Sequence, residues 1–228
     1  MTTPHPAPRT FSTTQLVLLA VVAAGFLVAP QLIVKAPNEP TMGMVQRIFY
    51  FHVPCAWQTM IGAFLAGGAS AMYLFRGSLR ARQVAIAAAE LAVLFGLCVL
   101  LTGPLWARKA WGVWWQWDAR ITSTFVMWMV FNAYLMLRRF GGAGSEVLAA
   151  AVGFFGMALV PFIYWSVNLW RTIHPKTSVV PTLPADMGIP LYFCWAAFTV
   201  LYFALMLVRM RLERSRTALE EAYLALED

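Results

Sequence analysis

Six long apolar runs constrain the fold of this chain more than any other feature. A transmembrane helix needs ~20 apolar residues to cross ~30 Å of hydrocarbon. Runs of this kind cover residues 15–34, 56–75, 84–105, 121–137, 147–166 and 189–208. Each should be an α-helix, because lipid offers backbone groups no hydrogen-bond partner outside the segment. The chain is 61% hydrophobic and 12% charged, whereas a soluble domain is about half apolar and a quarter charged. The sequence therefore predicts an all-α polytopic membrane protein with six transmembrane helices.

The positions of the 17 basic residues predict how these spans are oriented, because Lys and Arg accumulate in cytoplasmic loops. With the N-terminus inside, the cytoplasmic side holds the larger group, including clusters beside spans 2, 3, 4 and 6: Arg9, Arg76, Arg80, Arg82, Arg138, Arg139, Arg209, Arg211, Arg214 and Arg216. The outer side holds the smaller group: Lys35, Arg47, Arg108, Lys109, Arg120, Arg171 and Lys176. Both termini are therefore predicted to be cytoplasmic. Since these charges lie in short loops, the net charge of +7 does not indicate a nucleic-acid partner.

This topology predicts one membrane domain followed by a short tail. Residues 1–208 form the six-span domain, with an outer loop at 106–120, and residues 209–228 form a cytoplasmic C-terminal extension with both signs of charge. The tail 1–14 lacks the charge pattern and small-residue site of a cleavable signal. Cys55, Cys98 and Cys194 form no C-x-x-C pair, so neither a redox dithiol nor covalently attached c-type haem is expected. Glu90, inside the third span, has no assigned role.

The second outer loop carries the run WGVWWQWDARIT at residues 111–122. An aromatic belt at a membrane interface needs one or two rings per span end, whereas this run holds four tryptophans in seven residues. It therefore indicates a platform for a large, flat ligand. His52, just before Pro54 in the first outer loop, and His174 in the third outer loop are expected on the same side of the membrane.

Haem suits this combination of side chains. Neutral imidazole is a common ligand of haem iron, and two imidazoles complete a six-coordinate site. Indole rings can stack on the porphyrin, and Arg or Lys can hold its propionates through charge-assisted hydrogen bonds. Zinc would require more nitrogen or sulfur ligands than two distant histidines provide. The candidate propionate contacts are Arg108, Lys109, Arg171 and Lys176.

Taken singly, these residues also have simpler interpretations. His52 could cap a span at the interface, and His174 could be a solvated loop residue. Trp106 is expected to be a belt residue rather than a ligand contact. Asp118 can be the N-cap of the fourth span, worth ~1 kcal/mol, alongside any role in binding. It lies two residues from Arg120, so the two side chains would not face each other on a helix.

The tryptophan run resembles the signature of the WWD family of haem-handling membrane proteins. Within that family, the chain is similar in its length, its six predicted spans and its two outer histidines to the haem exporter C group of the system I cytochrome c maturation pathway. The resemblance covers nearly the whole chain, and it implies that His52 and His174 are the axial ligands of haem iron. It also implies that one set of residues forms the haem platform and chaperone surface: Trp111, Gly112, Trp114, Trp115, Trp117, Asp118 and Arg120.

The resemblance further implies a function that involves no catalysis by this chain. Haem b would be bound non-covalently and transiently at the periplasmic face of the bacterial inner membrane. It would then be delivered to a membrane-anchored periplasmic haem chaperone. The other expected partners are a two-component ABC transporter, with an ATPase and a membrane subunit, and a small single-span subunit.

Three rival functions remain open at this stage. A cytochrome c haem lyase of the same family would be expected to be larger, with more spans and further histidines. A small-solute permease would be expected to show polar midplane residues and repeat symmetry. A structural subunit of an ABC transporter complex that never binds haem is harder to distinguish from sequence, and it predicts no haem spectrum in the purified protein.

Overall fold

The computed structural model describes residues 12–227 and contains six long α-helices. They are α1 (Thr13–Lys35), α2 (Phe49–Arg76), α3 (Leu79–Ala110), α4 (Ala119–Phe140), α5 (Ser145–Leu169) and α6 (Ala185–Glu227). Two short 3-10 helices, Met44–Ile48 and Val180–Thr182, lie before α2 and α6. The predicted all-α polytopic fold is confirmed.

Five of these helices, all except α4, are long and apolar enough to cross a membrane. The 22 residues of α4 are long enough, reaching about 33 Å at ~1.5 Å per residue, but the helix is more polar. Its Ser123, Thr124 and Asn132 side chains each donate to a carbonyl earlier in the same helix. Trp128 of α4 donates its indole N–H to the carbonyl of Val93 in α3, at 3.0 Å. We therefore count α4, which packs on α3 and α5, as a membrane span, which brings the number of spans to six.

Small residues set the close packing of α2 against α3 and α5. A Cβ on Gly62 would lie 3.1 Å from the carbonyl oxygen of Ala88. A Cβ on Gly67 would lie 2.2 Å from the Cβ of Met157. Because lipid tails are as apolar as leucine, helices in a membrane associate through such close backbone approach. The glycines therefore fix α2 at the centre of the bundle.

The connections between helices meet at two opposite ends of the bundle. At one end, Arg82 and Arg138 lie 3.6 and 3.8 Å from the carboxylate of Glu146, beside the α2–α3 and α4–α5 turns. At the other, the α1–α2, α3–α4 and α5–α6 connections come together. There the indole N–H of Trp106 lies 3.2 Å from the sulfur of Met42. We call this second end, which gathers the predicted outer loops, the outer end.

The last helix extends further than the sequence predicts. α6 runs without a break from Ala185 to Glu227, so the predicted extension from residue 209 continues the sixth helix. Arg209 forms an ion pair with Glu90 of α3, which ties the first turn of this extension to the bundle. Residues 1–11, including Arg9 and most of the predicted N-terminal tail, lie outside the described residues.

Candidate functional site

His52 lies inside a helix at the outer end. The prediction that it precedes the second helix in a loop is wrong, because α2 begins at Phe49 and includes Pro54. A proline removes its own N–H donor and crowds the carbonyl four residues earlier, so a helix continues through it only where packing compensates for both effects. The 3-10 helix Met44–Ile48 leads directly into α2. As a result His52 is 6% exposed and sits on a rigid element.

The hydrogen bonds of His52 define its tautomer. Its Nδ1 lies 2.8 Å from the hydroxyl oxygen of Thr102 in α3. That hydroxyl donates its single proton to the carbonyl of Cys98, at 2.7 Å, so it must accept the bond from Nδ1–H. Nε2 therefore keeps its lone pair, which is the form of imidazole that binds a metal ion. Sequence reasoning missed Thr102, because no local pattern pairs residues 50 positions apart.

His174 lies in the connection between α5 and α6 and is held in the same tautomer. Its Nδ1 lies 3.0 Å from the carbonyl oxygen of Pro175. A carbonyl only accepts, so Nδ1 carries the proton and Nε2 keeps its lone pair. Burial, with a smaller contribution from the charge of Arg120, lowers the pKa of His174 from its usual 6.5 to about 4. The ring is therefore neutral at pH 7.

The two histidines line the same pair of cavities at the outer end. The first encloses about 800 Å³ and the second about 740 Å³ of space between side chains, part of which is open to solvent. His52, His174 and Arg120 line both. The first reaches Thr59 and Met127, which lie further along α2 and α4. Both histidines thus border the same largely apolar space.

The four tryptophans of the 111–118 segment, which we call the tryptophan loop, divide into two groups. Trp111, Trp114 and Trp115 line the first cavity. The indole N–H of Trp115 has no hydrogen-bond partner among the described residues. Trp117 is 72% exposed and is absent from the lining of both cavities. Its ring meets that of Trp115 edge-on, with centroids 5.4 Å apart. The loop therefore has an inner face towards the cavity and an exposed outer face.

Trp106 is a cavity residue that the sequence analysis misassigned. The expectation of a lipid-facing belt position is wrong, because Trp106 is 4% exposed and lines both cavities. Its ring stacks on Trp111 at 5.7 Å and meets His52 edge-on at 5.9 Å. Because α3 extends to Ala110, Trp106 lies one turn inside the helix, where it packs against α2. Trp106 therefore joins the tryptophan loop to His52.

The basic residues of the outer end take different positions. Arg120 lines both cavities, and Lys176 lines the second. Arg108 instead donates to the carbonyl of Gly112, at 2.6 Å, and so fastens the tryptophan loop to the end of α3. Lys109 and Arg171 are exposed and do not line these two cavities. Positive charge thus reaches the cavities through Arg120 and Lys176.

Asp118 begins α4 and also contacts the third outer connection. Its Oδ1 accepts the backbone N–H of Ile121 at 2.8 Å, which confirms the predicted N-cap. Its Oδ2 accepts a short hydrogen bond from the hydroxyl of Thr172. The hydroxyl oxygen of Thr172 in turn accepts the backbone N–H of His174, at 3.0 Å. Thr172 was missed by sequence reasoning, although its position two residues before a histidine fits a local hydroxyl turn.

These features define a class of protein: a multi-pass helical membrane protein with two histidines and a tryptophan-lined cavity at one end of the bundle. Comparison with known proteins gives the family. A family model described as heme exporter protein C matches residues 3–224. This chain belongs to the heme exporter protein C family.

Relatives support this assignment over most of the chain. Heme exporter protein C of Bradyrhizobium diazoefficiens is 34% identical over 184 residues, covering 78% of this chain and 70% of the relative. The protein of the same name from Haemophilus influenzae is 31% identical, over 78% of this chain and 75% of the relative. That of Escherichia coli K12 is 31% identical, over 77% of this chain and 73% of the relative.

Proposed function

We propose that this protein binds haem b at the outer end of the bundle and hands it to a partner during c-type cytochrome maturation. The printed name of its relatives, heme exporter protein C, supports haem handling. The observation that carries the proposal is the pairing of His52 and His174 around shared cavities. Both rings are held with Nε2 free to bind iron, since each Nδ1–H is already donated. These two Nε2 atoms are the proposed axial ligands.

The residues around the histidines fit a porphyrin. The cavity surface is mostly apolar, with Trp111, Trp114 and Trp115 along one side, and indole rings can stack on a flat aromatic macrocycle. Arg120 and Lys176 line the cavities and would attract propionates, while Arg108, Lys109 and Arg171 are further candidate contacts in this proposal. Haem is the cargo in this proposal. It is held non-covalently and transiently, and the chain acts as a binding protein rather than an enzyme.

The exposed face of the tryptophan loop supports a docking role. Contiguous exposed apolar patches mark interaction surfaces; Trp117 and Trp114 are 72% and 58% exposed, and the ring of Trp117 contacts those of Trp115 and Phe125. We propose that a membrane-anchored periplasmic haem chaperone docks here and collects haem from the adjacent cavity. Trp111, Gly112, Asp118 and Arg120 would complete the platform and docking surface.

The proposed setting is the bacterial inner membrane, with both termini cytoplasmic and the outer end in the periplasm. Residues 1–208 would form one six-span membrane domain, and residues from 209 would carry α6 into the cytoplasm. ATP hydrolysis would come from a two-component ABC transporter, with an ATPase and a membrane subunit. A small single-span subunit would complete the assembly.

An absorption spectrum of the purified full-length protein, produced with its partners and haem, tests the haem site. We expect a Soret band in the wild type that loses more than half its intensity, or shifts, in His52→Ala and in His174→Ala. His5→Ala, which alters the remaining histidine of the chain, is the control and should keep the band. Full bands in both ligand variants would refute the ligand assignment. A colourless wild type would favour a structural subunit without haem.

A further inference from the structure

Three hydrogen bonds connect the start of α4 to the backbone of His174. Asp118, which is 7% exposed, accepts the N–H of Ile121 with one carboxylate oxygen and the hydroxyl of Thr172 with the other. Thr172 then accepts the N–H of His174, at 3.0 Å. Because a carboxylate only accepts, the single proton of Thr172 must go to Asp118, and this leaves the hydroxyl oxygen free to receive His174. The direction of every bond is therefore fixed.

This link differs from the other bonds of the same connection, which are local. The ring of His174 is oriented by its neighbour Pro175, and Thr177 bonds to Asn168 only nine residues away. The bond from Thr172 to Asp118 instead spans 54 positions and joins two outer connections. It accordingly determines where the His174 backbone lies relative to the tryptophan loop, while Pro175 determines how the ring is turned.

We propose that Thr172 is a positioning residue that anchors His174 to the N-terminus of α4 through Asp118. The proposal rests on the assignment of His174 as an iron ligand. Thr172 lines neither cavity, so its effect on haem passes through His174. His52 needs no such anchor, because it is carried by α2 itself and bonded to α3 through Thr102. The two ligands are thus held by different means, one by a helix and one by a side-chain bridge.

The test replaces the hydroxyl of Thr172 in the full-length protein in lipid nanodiscs. Thr172→Val keeps the shape and removes both bonds, Thr172→Ala removes them without extra bulk, and Thr172→Ser retains the hydroxyl. Thr182→Val is the matched control, since Thr182 lies in the same connection and its hydroxyl donates locally to the Ser178 carbonyl, at 2.9 Å. Hydrogen exchange of the His174 amide is measured without haem, and the spin state of the iron is measured after addition of haemin.

We expect the His174 amide to exchange at least tenfold faster in Thr172→Val and Thr172→Ala, because its acceptor is lost. The ferric spectrum should then move from low spin towards high spin as His174 ligation weakens. Thr172→Ser and Thr182→Val should match the wild type in both measurements. Rescue by serine distinguishes positioning through the hydroxyl from general packing.

The two readouts separate this inference from the proposed function. Unchanged exchange and an unchanged low-spin spectrum in Thr172→Val and Thr172→Ala would overturn the inference while leaving the haem site intact. Faster exchange without any haem spectrum in the wild type would uphold the anchor and reject His174 as a ligand. Equal loss of the low-spin signal in Thr172→Ser and Thr172→Val would also overturn the inference.

Discussion

At the scale of single residues, the candidate site brings together two imidazoles whose Nδ1 atoms are already engaged in hydrogen bonds. The Nδ1 atom of His52 bonds to Thr102, which lies on the neighbouring helix α3. The Nδ1 atom of His174 bonds to the carbonyl of Pro175, the next residue in the chain. The sequence predicts the two histidines and most of the cavity tryptophans, because their residue types are unusual in membrane connections. It could not identify Thr102 or Thr172, whose hydrogen bonds to His52 and Asp118 join residues 50 and 54 positions apart.

The environment of His174 leads to a pH prediction for the haem-free protein. The folded chain holds the pKa of His174 at about 4, mainly through burial, against 6.5 when exposed. The unfolded chain therefore binds the extra proton first, so the stabilising contribution present above pH 6.5 is lost as the pH falls towards 4. We expect the free energy of unfolding to decrease over this window more steeply in the wild type than in His174→Gln. Parallel pH profiles from denaturant unfolding would contradict this.

At the scale of helices, the structure explains two positions that sequence patterns misplace. Pro54 suggests a helix boundary, yet α2 begins five residues earlier, at Phe49, because the preceding 3-10 helix packs against α3. Trp106 resembles a belt residue by its place near a span end, but the extension of α3 to Ala110 brings it against α2. Hydropathy locates the apolar core of a span well. It says little about how far the helix continues into the interface.

The helix-scale prediction concerns the ion pair between Glu90 of α3 and Arg209 of α6. The side chains of Glu90 and Arg209 are 33% and 29% exposed, so this ion pair is intermediate in burial between a surface ion pair and a buried ion pair. Glu90→Gln removes the carboxylate and leaves the guanidinium partly desolvated, which should cost about 1–3 kcal/mol of unfolding free energy.

The matched control for this pair is Glu146→Gln. Glu146 lies 3.6 and 3.8 Å from two arginines and is 37% exposed, so its loss should cost less than about 1 kcal/mol. Reversible unfolding in lipid nanodiscs measures both values. Equal stability of Glu90→Gln and the wild type would show that the α3–α6 pair contributes nothing to the fold.

At the scale of the whole molecule, the tryptophan loop has a cavity-lining face and an exposed face, to which we assign the proposed haem binding and partner docking separately. Trp111 and Trp115 line the cavity, whereas Trp117 is largely exposed. Trp117→Ala should therefore retain the haem spectrum while transfer of haem to the chaperone slows at least tenfold. Trp165→Ala, which alters another tryptophan that is 58% exposed, is the control and should transfer normally. Stopped-flow spectroscopy of haem transfer from the loaded protein measures the rate. An unchanged rate in Trp117→Ala would show that the chaperone does not dock on Trp117.

The separation of His52 and His174 along the chain has a consequence for how the protein is made. The site draws on α2, α3, the start of α4 and the connection after α5, and its last member, His174, is synthesised more than 120 residues after His52. Membrane chains emerge from the ribosome N-terminus first. The nascent chain thus carries His52 and the tryptophans well before it acquires His174. Under the proposed ligand assignment, a chain terminated before His174 would lack the second axial ligand.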